Sequence, residues 1–242
     1  MSFTKHIPNC ITTLNLACGI VGVVFAFQGH PDLAFCMMLA AAVFDFCDGL
    51  AARALGAYSP KGKELDSLCD MVSFGVLPSV MMYDNMRAYV WTSADALAFL
   101  PLIFSLGAAH RLAKFNVDDR QKESFLGLAV PMAAMIAASL CCFADAVPNS
   151  IVGGLCDWWW FLPAVSLVLV ALMVCEVPMF SMKFSKGQPR DLKIKRIAYL
   201  VDCAVILAGV LFVGTSWTLA VLLAGILYVV KNFIFLLPLL RK

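Results

Sequence analysis

Charged residues are scarce in this chain. Asp, Glu, Lys and Arg make up 14% of its 242 residues and hydrophobic residues 62%, whereas a soluble domain is about a quarter charged and about half apolar. This excludes a soluble protein with a large core and leaves a polytopic membrane protein. The ten cysteines form no CxxC pair and no paired Cys/His spacing, so neither a zinc site nor a disulfide framework is expected. They read as small buried hydrophobes. No cleavable signal peptide is expected, because MSFTKHIPN carries one Lys and the apolar stretch behind it continues at membrane-span length. Linkers, low-complexity tracts and internal repeats are missing, which predicts one domain over 1–242. No inverted repeat or pair of broken helices marks a transporter. The net charge of +2 is too small to inform, and no nucleic-acid partner is expected.

What is present is a series of apolar runs. Eight lie near the roughly 20 residues needed to cross a bilayer, at about 11–28, 33–55, 66–84, 91–113, 126–147, 158–178, 196–214 and 217–238. The fold class is therefore all-α, a transmembrane helical bundle of about eight spans. With eight spans both termini share a side. That side receives Lys5, Lys61, Lys63, Lys114, Arg120, Lys122, the cluster from Lys183 to Arg196, and Arg241 with Lys242. The opposite loops hold essentially Arg87, beside Asp84. The positive-inside rule makes the basic side cytoplasmic, giving a multi-pass cell-membrane protein with both termini inside. Trp158, Trp159 and Trp160 fit an aromatic belt on the far side. The basic 183–196 stretch reads as a topology determinant and a contact for anionic membrane lipids.

One polar stretch interrupts the oil: FDFCDGLAARALGAYSPKGKELDSLCDMVSFG, Phe44 to Gly75. Acids next to membrane-length apolar runs are costly and normally have a partner or a function. The Gly and Pro content of 56–62 predicts a turn between spans two and three at the cytoplasmic face. Asp45 and Asp48 are three apart, with Gly49, Ala52 and Arg53 continuing that surface; Gly62, Asp66 and Asp70 follow at spacings of four. Residues three and four apart share a helix face, so a hairpin would bring four carboxylates together. Bare, they would repel one another and some would protonate. Two divalent cations resolve the repulsion, and an all-carboxylate donor set suits Mg2+ or Mn2+, with Ca2+ also admitted, rather than zinc. Arg53 on the same surface is a natural phosphate partner. Together these features point to phosphoryl chemistry at the membrane surface. A buried network of paired acids and bases, or a cation or proton pathway, is the alternative use of such residues.

The pattern D45-x2-D48-G49-x2-A52-R53-x8-G62-x3-D66-x3-D70 is similar to the signature of the CDP-alcohol phosphatidyltransferase family. Further runs resemble its phosphatidylserine synthase branch. These are Pro8-Asn9-x-Ile11-Thr12-x-Leu14-Asn15, Asp66-Ser67-Leu68-x-Asp70-x-Val72-Ser73-Phe74-Gly75-Val76-x-Pro78, and Arg111-Leu112-Ala113-x-Phe115-Asn116. Gly127-Leu128 with Pro131, then Ala133-Ala134, continues the likeness, which covers about 5–185; the last two spans, 196–238, match only as apolar helices. Lys114 departs from the branch, which usually has Arg there.

The resemblance implies an integral membrane enzyme that moves a phosphatidyl group from a CDP-linked lipid to a small alcohol and releases CMP. On this likeness Asp45, Asp48 and Asp66 are metal ligands; Asp70 can touch the second metal and is the general base. Gly49, Ala52 and Arg53 border the CDP phosphates, and Asn9, Thr12 and Gly62 lie near the nucleotide. Within the serine branch the partners are CDP-diacylglycerol and L-serine, with Arg111 open to the serine carboxylate and Asn116 to its orientation. Arg111 also reads as a snorkelling cation of the inner membrane edge. A sibling acceptor, glycerol 3-phosphate or an inositol compound, stays open, and the resemblance implies a homodimer.

Overall fold

A computed structural model describes residues 6–89, 95–118, 125–179 and 190–236. Lys5, Arg120, Lys122, the 183–189 part of the basic cluster and the last six residues lie outside the described residues. Among the described residues the regular structure is helical apart from one pair of two-residue strands. Its elements are α1 (Ile7–Phe27), α2 (Pro31–Leu55), α3 (Pro60–Asp70), a π-helical turn (Met71–Val76) and α4 (Leu77–Tyr89). A 3₁₀ turn (Asp95–Leu102) leads into α5 (Ile103–Val117), followed by β1 (Phe125–Leu126), α6 (Val130–Ala146) and the short α7 (Ile151–Cys156). Then come α8 (Phe161–Val174), β2 (Pro178–Met179), α9 (Arg190–Val213) and α10 (Thr218–Leu236).

Among the described residues six helical stretches are long and apolar enough to cross a membrane, with α3 through α4 counted as one and the 3₁₀ turn through α5 as another. The shorter apolar helices α6 and α8 take the positions of the fifth and sixth expected spans. Large apolar side chains face outward, Phe46 at 63% exposure and Phe212 at 93%. Lipid-facing surface needs no polar cover, so burial inverts its usual rule here. The interior packs large side chains such as Phe35, Phe74 and Phe104, all fully buried, against runs of small residues. Twelve of the seventeen residues of α6 are buried, including Ala133, Ala134, Ala137, Ala138 and Cys141, which lets neighbouring backbones come close.

Two local details differ from the sequence reading. Residues 60–62 belong to a helix rather than to the connecting turn. Ser59 caps α3 by accepting from the Gly62 amide at 3.0 Å, and Pro60 takes the first helical position, where its missing N–H costs nothing. The real bend is at Gly56, whose φ of 57° ends α2 in the left-handed region. The cysteines are free, but not all are core: Cys69, Cys141, Cys142 and Cys156 are buried, whereas Cys10 and Cys36 are exposed. A thiol is apolar enough to face lipid as readily as protein.

Several contacts gather at one end of the bundle. Phe125 and Leu126 pair antiparallel with Met179 and Pro178, and the Gly127 amide donates to the Val177 carbonyl at 2.8 Å. Lys63 donates to the Asn116 carbonyl at 2.7 Å, joining the start of α3 to the end of α5. Lys114 pairs with Glu176 at 3.0 Å. These contacts bring the start of α3, the end of α5 and the β1–β2 pair together at that end.

Candidate active site

The site is built where α2 and α3 run back from the Gly56 bend. Their 3.6-residue period turns Asp45 and Asp48 on α2 toward Asp66 on α3. A carboxylate oxygen from each of the three lies within 4.8 Å of the other two. Asp48 is 6% exposed, and its Oδ2 is buried without a hydrogen-bond partner. Three converging carboxylates repel strongly at low dielectric. An orphaned buried carboxylate oxygen is the feature a cation would explain, and the all-oxygen donor set fits a hard divalent ion. The residues therefore fit the metal centre that the sequence implied.

Asp70 is set apart. It lies one turn beyond Asp66, at the end of α3, and is 9% exposed. Its Oδ1 accepts from the side-chain amide of Asn15 on α1 at 3.0 Å. The Asn15 carbonyl in turn accepts from the Ser73 hydroxyl at 3.1 Å. Asn15 is fully buried and had no role in the sequence reading. Its signal was legible: Pro8, Thr12, Asn15, Gly19, Gly22 and Ala26 form a buried stripe along α1 at spacings of three and four. A polar or small residue recurring at that period in an apolar span marks its protein-facing side.

The residues expected around the nucleotide border the same place. The Thr12 hydroxyl donates to the Pro8 carbonyl at 2.9 Å and is also a hydrogen-bond neighbour of Asp48, so it has two alternative acceptors. Asn9 approaches Gly62 so closely that a Cβ added there would sit 3.1 Å from Asn9 Oδ1. Gly49 faces open space, with nothing within 4 Å of its Cβ position. Ala52 is half-buried and Arg53 is exposed near the end of α2.

Arg111 and Asn116 part company. They are five residues apart on α5, which turns them about 140° from one another. Arg111 is 3% exposed, lies 5.4 Å from the centroid of the Phe115 ring and leaves Nε without a hydrogen-bond partner. It lines a cavity of about 420 Å³ between α5 and α8, together with His110, Lys114, Gly107 and Val170. Asn116 turns to α3 instead, where its side-chain amide donates to the Ser67 hydroxyl at 2.8 Å.

The family model for CDP-alcohol phosphatidyltransferases matches residues 5–174, which contain every one of these groups. The chain belongs to the CDP-alcohol phosphatidyltransferase family. Among curated members of that family, the chain is 31% identical over 218 residues to a CDP-diacylglycerol–serine O-phosphatidyltransferase of Mycobacterium leprae, spanning 86% of this chain and 69% of the relative. An enzyme of the same name from Bacillus subtilis is 34% identical over 131 residues, 54% of this chain and 72% of the relative. An archaetidylserine synthase of Methanothermobacter thermautotrophicus is 33% identical over 135 residues, 55% of this chain and 56% of the relative. This CDP-alcohol phosphatidyltransferase is a membrane protein and a transferase, with an acidic cluster suited to divalent metal.

Proposed function

We propose that the protein transfers the phosphatidyl group of CDP-diacylglycerol to the hydroxyl of L-serine, giving phosphatidylserine and CMP. The observation that carries this reading is the convergence of Asp45, Asp48 and Asp66, with Asp70 one turn beyond Asp66 on α3. The relatives' shared name supports the choice of donor and acceptor.

Asp45, Asp48 and Asp66 would hold divalent metal, and we take the centre as two Mg2+ or Mn2+ ions with Asp70 also reaching the second. Bound there, the metal neutralises pyrophosphate charge and polarises the phosphorus under attack. The chain's own groups do the rest. Gly49 and Ala52 leave room for the donor phosphates along α2, and Arg53 offers them its guanidinium. Asn9, Thr12 and Gly62 flank the nucleotide at the α1–α3 edge. Asp70 receives the proton of the serine hydroxyl as the serine oxygen bonds to the lipid-side phosphorus. The bond from that phosphorus to the bridging oxygen breaks, and CMP leaves with the electron pair. Transfer is direct, with no phospho-enzyme.

Arg111 is the counter-ion we assign to the serine carboxylate, because its guanidinium is buried with Nε unspent beside a cavity. Asn116, held by Ser67 next to Asp66, borders the acceptor's route. Lys114 beside Arg111 leaves a phosphorylated acceptor such as glycerol 3-phosphate open, because its pair with Glu176 is exposed and weak; the relatives' shared name favours serine. We place the site and both termini on the cytoplasmic side by the positive-inside rule, where lipid donor and water-soluble acceptor meet, and take the enzyme as a homodimer.

The test is CMP release by the purified protein in detergent with CDP-diacylglycerol, Mg2+ or Mn2+ and labelled acceptors. Serine is expected to be consumed and labelled phosphatidylserine formed. Release of CMP with another alcohol but not with serine would sink the acceptor assignment.

A further inference from the structure

The Asn15–Asp70 contact holds more than packing requires. Asn15 is fully buried, and its amide oxygen has no hydrogen-bond partner. Burying an amide with half its capacity unmet costs free energy, and Leu or Met of similar size would fill the space without that cost. The amide orientation follows from chemistry, since the reverse flip would set the Asn15 oxygen against the Asp70 carboxylate. What Asn15 contributes is a donor aimed at one oxygen of one carboxylate. Among the described residues Asp70 receives no other hydrogen bond, so Oδ1 is held and Oδ2 is left open.

The surroundings fix that donor in place. Ser73, three residues past Asp70, donates back to the Asn15 carbonyl at 3.1 Å, so Asn15 is gripped at side chain and main chain by the same turn. Gly19, one turn along α1, makes room for it: a Cβ there would lie 2.4 Å from Ser73 Oγ and 3.0 Å from Ser73 Cα. The turn from Met71 to Val76 is π-helical, a geometry that recurs at functional sites. Asp45, Asp48 and Asp66 form their close group without Asp70.

We propose that Asn15 is a positioning residue: it holds Asp70 by Oδ1 so that Oδ2 faces the acceptor hydroxyl, with Ser73 and Gly19 holding Asn15 in turn. The inference rests on the reading of Asp70 as proton acceptor and adds the device that orients it. A carboxylate free to rotate would present either oxygen, or turn wholly to the metal. One pinned by a neutral amide keeps a single face toward the substrate. Groups that orient a reacting side chain contribute about 10- to 100-fold to activity.

The experiment compares Asn15→Ala, Asn15→Asp, Asp70→Asn and the double variant Asn15→Ala/Asp70→Asn in the purified full-length protein. Readouts are CMP release with serine, KM for both substrates, and CDP binding as a check on the folded site. Asn15→Ala is expected to lower kcat about 10- to 100-fold while KM for CDP-diacylglycerol and serine stays within about threefold and CDP binding persists. Asn15→Asp, equal in shape but with an acceptor in place of the donor, falls at least as far. The double variant is expected to be no slower than Asp70→Asn alone, because Asn15 acts only through Asp70. Should Asn15→Ala fail to fold, Asn15→Ser, which retains a small donor, carries the same comparison with Asp70→Asn. Unchanged kcat in Asn15→Ala, or losses that multiply in the double variant, overturns the positioning role. If Asp70→Asn is inactive while Asn15→Ala turns over normally, only this inference fails. If Asp70→Asn keeps full turnover, the proton-acceptor reading fails and takes the inference with it.

Discussion

Ser73 occupies the space that a side chain on Gly19 would fill, its Oγ 2.4 Å from that Cβ position. The contact seats α1 directly on the turn that follows Asp70. A methyl at residue 19 has backbone as well as hydroxyl in its way, with Ser73 N 3.1 Å distant, so α1 must move. Gly19→Ala is expected to destabilise by about 1–3 kcal/mol and to lower turnover. Gly209→Ala on α9, where nothing lies within 4 Å, should hold the wild-type melting temperature. Thermal unfolding in detergent compares the two; equal behaviour would refute the tight seating.

The carboxylate trio makes a claim about metal. Asp45→Asn, Asp48→Asn and Asp66→Asn each remove charge from a group closed within 4.8 Å, and each should cut CMP release by more than about 10-fold, the loss at which removing a residue that only supports a metal ligand begins. EDTA should abolish turnover and added Mg2+ or Mn2+ restore it. Turnover that persists in chelator would rule out the metal centre.

Arg111 and Lys114 line the same cavity, and Lys114 alone of the two pairs with Glu176. Lys114 is committed to Glu176, whose side chain is 58% exposed, and exposed pairs contribute about 0–1 kcal/mol. Lys114→Met should therefore leave the serine KM within about threefold. Arg111→Lys keeps charge but loses the planar fork. Losing a hydrogen bond to a charged group costs about 1.5–3 kcal/mol, so the serine KM should rise about tenfold or more while that for CDP-diacylglycerol holds. Equal effects from the two variants would remove Arg111 from the acceptor site.

Asp202 of α9 and Lys231 of α10 form an ion pair well inside the last two spans. Tyr199 on α9 also donates to the Ala224 carbonyl of α10 at 3.1 Å. The pair is expected to clasp the two helices. A double-mutant cycle with Asp202→Ala and Lys231→Ala, followed by thermal unfolding, should return a coupling of about 0.6 kcal/mol, the average measured for polar contacts between membrane helices, and no more than about 1.7 kcal/mol. A cycle that closes to zero would show the pair to be incidental.

Much of this protein was determined by sequence alone, because the relevant signals are local. Membrane length, charge scarcity and basic connections each depend on a short window, so eight apolar segments in order follow from reading along the chain; that α6 and α8 are shorter than a span, and that α3 runs through the π turn into α4, does not. The acids too were legible, since Asp45, Asp48, Asp66 and Asp70 repeat at helical spacing on both sides of Gly56. The family resemblance assigns Asp70 a role apart from the other three; the tertiary structure supplies the geometry of that division. It brought Asp45, Asp48 and Asp66 together and gave Asp70 to Asn15, a residue fifty-five positions away. It sent Arg111 to the α5–α8 cavity and Asn116 to Ser67. Such partners depend on how each helix is rotated about its axis and where it crosses its neighbour. A 3.6-residue period does not contain that information. The π turn from Met71 to Val76 shifts the register of everything after Asp70. The Gly75 carbonyl takes the Ser79 hydroxyl at 2.8 Å and has Ser105 of α5 at 3.1 Å. Ser79 lies four residues on in the same helical run and Ser105 on another helix, so the polar bracing of the π turn is partly local and partly tertiary.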